Sequence, residues 1–547
     1  MEGIPMNPGR MMDFPLTLTH LLEHARRYFP RTEIVSRGPD GKLHRQTWSD
    51  TYDRSCKLAS ALTRLGVKQG DRVATLAWNH NRHLEAYYGV PMMGAVVHTL
   101  NLRLHPSEIG YIARHAGDSV VLVDRSLLPL LNQFVESVPS IRHVIVMADD
   151  GPTPEGKLDY EQLLAAEPAA YDWPRLDENA AATICYTSGT TGNPKGVVYS
   201  HRSNVLHALT VCLPDVTDLS HRDCILPVVP MFHANCWGFA HSAALIGAKL
   251  VFPGPKLDPE SLLDLMAHEK VTTAAGVPTI WIGILALLDA NPKKWDLSSL
   301  KKMMVGGSAA PPAMIDGFDR RHGLTVRQAW GMTETNPVGS VALVKQGLET
   351  TPEARMSCRA SQGFAVPFVE MRHCDDQGRV LPWDGELMGE LEVRGPWVAK
   401  SYIGDEGKDR WTPDGWFKTG DVVTIDAEGY VRICDRSKDV IKSGGEWISS
   451  VALENALMSH PCVLEAAVFA GRHPKWAERP IAAIVLKKDK QATSAELGEH
   501  IAGQFAKFWM PDAYVFVEQI PRTSTGKFLK TRLRETYGAM LEKKGDT

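Results

Sequence analysis

Apolar residues recur at Leu18, Leu21, Leu22, Ala25 and Tyr28 with charged residues between them, the spacing of an amphipathic helix within Leu16 to Tyr28. Short apolar runs come next, Arg72 to Trp78, Ser119 to Asp124 and His143 to Met147, each of strand length, with helical stretches such as His83 to Gly94 among them. Strands that alternate with helices predict α/β layers on largely parallel sheets. The Trp, His and Met residues of this first third read as core or edge positions. Asp149 to Gly156 is rich in turn formers and reads as a surface loop. Farther on, a helical run opens at Ser200 and Met303 to Val305 is strand-like. Past residue 450 the pattern changes to helix at Val451 to Met458, strands at Ala466 to Ala470 and Ile481 to Leu486, and helix at Ser494 to Phe508. That closing stretch of about 110 residues is enough for a separate small α+β domain.

Length agrees with more than one domain, since 547 residues exceed one ordinary core. The net charge of −4 and the scattered 23% of charged residues do not favour a nucleic-acid partner. The nine cysteines are odd in number, dispersed and never in a CxxC pair, which argues against a disulfide framework or a zinc site and fits a reducing cytoplasm. Met1 to Asp13 carries Pro and Gly where a signal peptide needs an apolar core, and no run of about 18 apolar residues occurs. A soluble, cytoplasmic protein without a transmembrane segment is expected.

Tyr186 to Gly196 packs hydroxyls, glycines and one lysine behind the apolar approach Ala181 to Cys185. Glycines let a backbone approach a polyphosphate, hydroxyls bind its oxygens or Mg²⁺, and a lysine adds positive charge. The nucleoside-triphosphatase P-loop is excluded, because it needs Gly-Lys followed by Ser or Thr, whereas Pro194 precedes Lys195 and Gly196 follows it. A plain polar turn is the competing reading, disfavoured by the density of hydroxyls beside the lysine.

The stretch resembles the phosphate-binding signature of the AMP-forming adenylating enzymes, the superfamily of acyl-CoA synthetases, adenylation domains and luciferases. Further matches follow in the family's order: Val229 to Trp237, Gln328 to Thr335, Gly415 to Asp421, Asp435 to Glu446 and Pro521 to Lys530; between them the small residues of Val305 to Pro311 allow a flat ring or an acyl chain to lie against the backbone. Val229 to Trp237 and Lys442 to Ser449 are most similar to the bacterial medium- and long-chain fatty acyl-CoA synthetases. The resemblance implies a large multi-layer N-terminal α/β domain, 1–434, and a small mobile C-terminal α+β domain, 435–547, swivelling on a hinge at 435–440. Without it, Asp435 to Glu446 reads as a charged, exposed connector.

The roles implied by the resemblance are these. Thr187, Ser188, Gly189, Thr190, Thr191, Gly192 and Lys195 hold ATP phosphates, with Thr187 and Glu334 near Mg²⁺. His233 stands beside the reacting carboxylate, Trp237 gates the acyl tunnel, and Gly306 and Val338 border the acid. Gly307, Ser308, Ala309, Ala329, Trp330, Gly331, Met332 and Thr333 surround the nucleotide, with Trp330 stacked on adenine. The family more often has tyrosine there, so only a role for its hydroxyl is lost. Asp421, expected at a strand end where it can accept from both ribose hydroxyls, has Arg436 beside it. Lys527 enters the site for the first step. Lys442, Ser443, Gly444, Gly445 and Trp447 line a path for the coenzyme A thiol in the second.

The implied activity is ATP-dependent ligation of a carboxylic acid to coenzyme A through an acyl-adenylate, with ATP, Mg²⁺ and coenzyme A required. Partners are small molecules, and a homodimer is compatible. A ligase for a short methylthio-alkanoate or an aromatic acid, a catalytically silent nucleotide-binding regulator, and a carrier-loading adenylation module are the rivals. The short tail after Lys527 disfavours an attached carrier domain.

Overall fold

The computed structural model describes residues 11–148, 151–187, 193–437, 439–443, 446–522 and 528–542. Ser188 to Gly192, Gly444, Gly445 and Lys527, and residues 149 and 150 of the predicted loop, lie outside them. Among the described residues the strands form sheets of nine, seven, four and five members. The nine-stranded sheet has a parallel centre, Glu33–Arg37, Lys249–Phe252, Cys224–Pro227, Thr273–Gly276, Lys302–Val305 and Val326–Gly331 in spatial order, with antiparallel strands at its two edges. The seven-stranded sheet is parallel from Leu158–Asp159 through Ala181–Tyr186 and ends on antiparallel Gly196–Ser200.

Between these sheets lie the helices Leu18–Tyr28, Asn81–Met92, His201–Cys212 and Phe239–Ile246, whose apolar faces share one core with Ala182, Ile225 and Leu250. A separate core covers the outer face of each sheet, and another packs the inner face of the seven-stranded sheet against the helices Trp48–Arg64 and Asn81–Met92. Parallel strands buried on both faces explain why the first third reads as short apolar runs without alternation. Buried tryptophans satisfy their polar edge: Trp48 Nε1 donates to Ala248 O at 3.0 Å and Trp397 Nε1 to Val338 O at 3.0 Å.

The four-stranded sheet, Glu370–Cys374, Gly389–Arg394, Phe417–Ile425 and Val431–Arg436, is antiparallel. The smaller C-terminal α+β part is built on the long hairpin Val463–His473 and Ala477–Leu486, with helices Ser450–Met458 and Ser494–Ala502 sharing its core. Two expectations are corrected here. The helix predicted over Ser494 to Phe508 stops at Ala502, before Gly503, a poor helix former; Phe505 and Trp509 keep the apolar spacing but pack on the core from irregular backbone and a 3₁₀ turn. Nor is Asp435 to Glu446 simply an exposed connector. Strand pairing carries Asp435 into the interior at 1% exposure, and the strand Ile441–Ser443 buries Ile441 and Ser443 while Lys442 points outward. No helix among the described residues is long and apolar enough to cross a membrane.

Candidate active site

Ends of several strands converge on one cavity of about 300 Å³, lined by both α/β sheets, by the four-stranded sheet and by Phe528 to Thr531 of the C-terminal part.

Its polar wall begins with the hairpin that brackets the phosphate motif. Strands Ala181–Tyr186 and Gly196–Ser200 pair in antiparallel register. Beyond them Thr187 N–H donates to Lys195 O at 2.9 Å and Lys195 N–H to Thr187 Oγ1 at 3.2 Å, so the two ends of the motif are pinned together. Thr187, Asn193 and Lys195 line the cavity, and Lys195 Nζ lies 5.2 Å from the ring centroid of Tyr402. The Tyr402 hydroxyl donates to Glu334 Oε1. Burial, then the Glu334 charge, pushes the Tyr402 pKa upward and keeps it a donor. Glu334 and Thr333 line the cavity, and the Thr333 carbonyl accepts from Tyr199 Oη at 2.6 Å.

Ala329, Trp330, Gly331 and Met332 form the next wall. A Cβ on Gly339 would collide with the Trp330 ring, so glycine there makes room for an indole. Trp330 Nε1 donates to Asp421 Oδ2 at 2.9 Å. Asp421 is not at the strand end expected for it but inside Phe417–Ile425, where pairing with Arg436 across the ladder buries it. Trp330, Arg436 and Thr419 line the cavity, whereas Asp421 stands behind them. Arg436 Nε is 2.7 Å from Asp421 Oδ1, an ion pair without hydrogen-bond alignment, which leaves that oxygen with acceptor capacity.

The apolar branch is lined by Val211, Val216, Phe239, Met304, Val338 and Val341. His233 and Trp237 stand in the same lining, on a turn whose backbone is left-handed at Ala234, Asn235, Cys236 and Trp237, with φ of 42, 52, 58 and 51°. For non-glycine residues such a run costs about 1 to 2 kcal/mol per residue, so surrounding bonds must hold it. Asn235 Nδ2 donates to Thr183 Oγ1 at 2.8 Å and is one such bond. The Trp237 ring lies over Gly306, where a Cβ would meet Cη2 at 3.1 Å. Val338 N–H donates to His207 Nε2 at 3.2 Å; burial, reinforced by His241, lowers the His207 pKa to about 3 and keeps it a neutral acceptor.

The cavity thus gathers Thr187, Lys195, His233, Trp237, Gly306, Gly307, Ala329 to Glu334, Val338 and Arg436 from the expected set. Ser308 and Ala309 fall outside the lining. So do Lys442, Ser443 and Trp447: Lys442 Nζ lies 3.8 Å from Asp376 Oδ2 and 5.0 Å from the Trp447 ring, and Ser443 Oγ accepts from Arg479 at 3.2 Å. Tyr402, Arg410, Thr217 and Lys530 line the cavity without having been expected. His207 and Trp397, likewise unexpected, hold Val338 from behind. Their partners lie far away in the chain, and no local spacing marks them.

Residues 21–403 match the family model for AMP-binding enzymes, and residues 452–527 that for the AMP-binding enzyme C-terminal domain. The long-chain-fatty-acid–CoA ligase of Thermus thermophilus is 52% identical over 544 residues, covering 98% of this chain and 99% of that protein. The medium-chain-fatty-acid–CoA ligase of Ectopseudomonas oleovorans is 47% identical over 539 residues, covering 97% and 98%. Among solved structures, an anthranilate CoA ligase in complex with anthranoyl-AMP superposes with a TM-score of 0.86 at 26% identity, covering 96% of this chain and 98% of that one.

Proposed function

The chain belongs to the AMP-binding enzyme family, and from that premise we propose that it is an acyl-CoA synthetase converting ATP, a medium- or long-chain fatty acid and coenzyme A to acyl-CoA, AMP and pyrophosphate through an acyl-adenylate. The observation that carries this reading is the continuity of one cavity from Lys195, Thr333 and Arg436 to the apolar branch at Val211, Val216 and Met304. A carboxylate whose tail fills that branch is thereby presented to the phosphate wall.

Two anions, carboxylate and triphosphate, repel each other, and the site's first task is to offset that repulsion. Lys195 and Lys527 supply positive charge in this reading. Glu334 and Thr187 offer hard oxygen donors on the phosphate side, a set that suits Mg²⁺, which is bound by one or two protein groups and substrate phosphates; when bound it neutralises phosphate charge. Trp330 stacks on adenine, and Asp421 Oδ1, enclosed behind Arg436, takes the ribose hydroxyls when the Arg436 side chain moves aside. His233 borders the reacting carboxylate and Trp237 gates the branch. Holding the reactants together removes much of the remaining barrier.

For the second step residues 435–547 turn about 435–440, withdrawing Lys527 and bringing Ser443 to Gly445 and Trp447 to the thiol path. The position of Lys442, Ser443 and Trp447 outside the cavity supports a rearrangement between the steps. All nine cysteines are free, which supports a cytoplasmic enzyme. A homodimer belongs to the same reading and is checked by light scattering.

Burying a methylene is worth about 0.8 kcal/mol, so four carbons change affinity by roughly 3 kcal/mol, more than 100-fold. Coenzyme A-dependent AMP formation, measured on acids of increasing chain length, on 3-(methylthio)propionate and on benzoate, therefore tests the substrate class. A maximum at medium or long chains is expected; preference for the methylthio or aromatic acid overturns it, and no turnover of any acid overturns the enzyme reading.

A further inference from the structure

A second cavity, of about 80 Å³, opens where the strands Glu33–Arg37, Asp118–Asp124 and His143–Met147 end, and it shares no lining residue with the catalytic one. Arg37 stands in its wall. That residue is 9% exposed, and among the described residues its guanidinium has neither a hydrogen bond nor an ion pair. Arginine stays charged in proteins, and a buried charge without a partner is costly. Asp258 and Asp264, the acidic groups that act on it from a distance, do not fully offset its burial, which draws its pKa below the ordinary arginine value.

The helix Asn81–Met92 begins in the same wall, with His80, its N-cap, and Asn81 and Arg82 among the lining residues. Its positive end therefore adds to the Arg37 charge. Asp124, the one acidic residue in the described lining, is already engaged: Oδ1 lies 2.7 Å from His80 Nε2 and Oδ2 accepts Trp78 N–H at 2.8 Å. The space, about 80 Å³ against about 300 Å³ for the catalytic cavity, has room for a tetrahedral oxyanion.

We propose that this cavity binds one small oxyanion of the phosphate or sulfate class, held by Arg37 at the N-terminus of the helix Asn81–Met92. The site lies apart from the chemistry and ties the nine-stranded sheet, through Arg37, to the helix that follows Leu76 of the seven-stranded one.

Because the catalytic cavity also attracts phosphate, the test is run on protein saturated with a non-hydrolysable acyl-adenylate mimic. Inorganic phosphate and sulfate are titrated calorimetrically at constant ionic strength, with chloride as control, and melting temperature is read in parallel. Saturable one-site binding is expected, weakened at least tenfold in Arg37→Met and less in Arg37→Lys, with the phosphate-induced rise in melting temperature lost in step. Wild-type protein that shows no saturable binding overturns the proposal, as does an Arg37→Met or Arg37→Lys protein that folds and binds phosphate like wild type. The wild-type titration decides even where a variant fails to fold.

Discussion

Lys530 Nζ lies 2.7 Å from Glu454 Oε1 in a buried ion pair that joins the start of the helix Lys530–Tyr537 to the middle of the helix Ser450–Met458. The same ammonium donates to Ser450 Oγ, and Ser450 N–H donates to Asp435 Oδ2 at 2.8 Å. One cluster thus binds the proposed hinge residue Asp435 to the segment that follows Lys527 in the chain. Burial raises the Glu454 pKa to about 7 against the pull of Lys530, while Glu454 and Asp435 hold the lysine above its ordinary range despite burial.

Lys530→Met should cost about 3 to 5 kcal/mol, because it strands a buried carboxylate. The sign of the pH dependence follows from Glu454. A raised pKa favours the folded state while the carboxyl is protonated and penalises it as pH rises through the folded value, and loss of Lys530 moves that value further up. The deficit should therefore be larger at pH 8 than at pH 6 in urea unfolding, and Glu454→Gln added to Lys530→Met should recover part of it. A pH-independent deficit, or no recovery in the double variant, removes the pairing argument.

Lys527→Ala should abolish acyl-adenylate formation, followed as acid-dependent pyrophosphate release, and leave thioester formation from synthetic acyl-AMP largely intact. Equal loss of both half-reactions refutes the assignment of Lys527 to the first step.

Asp421→Ala should raise the KM for ATP far more than that for the acid, since two hydrogen bonds to a charged acceptor are worth about 3 to 6 kcal/mol. Trp330→Phe keeps an aromatic face but removes the N–H that orients Asp421 Oδ2, so a smaller rise in the same constant is expected. Unchanged ATP dependence in both variants takes Asp421 out of the nucleotide site.

Trp237→Ala separates a gate from a packing residue. A gate predicts near-normal stability, an altered chain-length profile and acid binding without ATP. A merely packed tryptophan predicts a loss of about 3 to 5 kcal/mol with an unaltered profile. The left-handed turn adds a second handle. Ala234→Gly relieves a φ of 42°, and should raise stability by about 1 kcal/mol while loosening the placement of Trp237 and broadening the profile.

Acid should unfold the protein steeply. Burial lowers His83, His207 and His241 to about 3 and His201 to about 4, with His80, His241 and His201 adding to the effect on His83, His207 and His241 respectively. A depressed folded pKa contributes stability that is whole above the ordinary value of 6.5 and drains as pH falls toward the folded value. Four such groups amount to roughly 5 kcal/mol per pH unit below 6.5, reached gradually around that value. Urea midpoints that hold constant between pH 7.5 and 5 contradict it.

Local chemistry determined much that is legible in the sequence by itself. Period and run length announced the α/β layers, because parallel strands covered on both faces have to be continuously apolar. The density of hydroxyls, glycines and lysine at Tyr186 to Gly196 announced a phosphate site, because those groups act through adjacent backbone. The tertiary structure alone decided what depends on segments remote in the chain. Tyr402 meets Glu334, His207 meets Val338 and Trp330 meets Asp421 across separations of 68, 131 and 91 residues, and none of these partners carries a local spacing that betrays it. Asp435 looks exposed beside Arg436, Lys438 and Asp439, yet ladder pairing buries it and Ser450 N–H donates to its carboxylate. Arg37 reads as one more surface arginine, and only the convergence of strand ends encloses it. A sequence states which groups a chain carries and the period at which they recur; burial and partnership are properties of the packed whole.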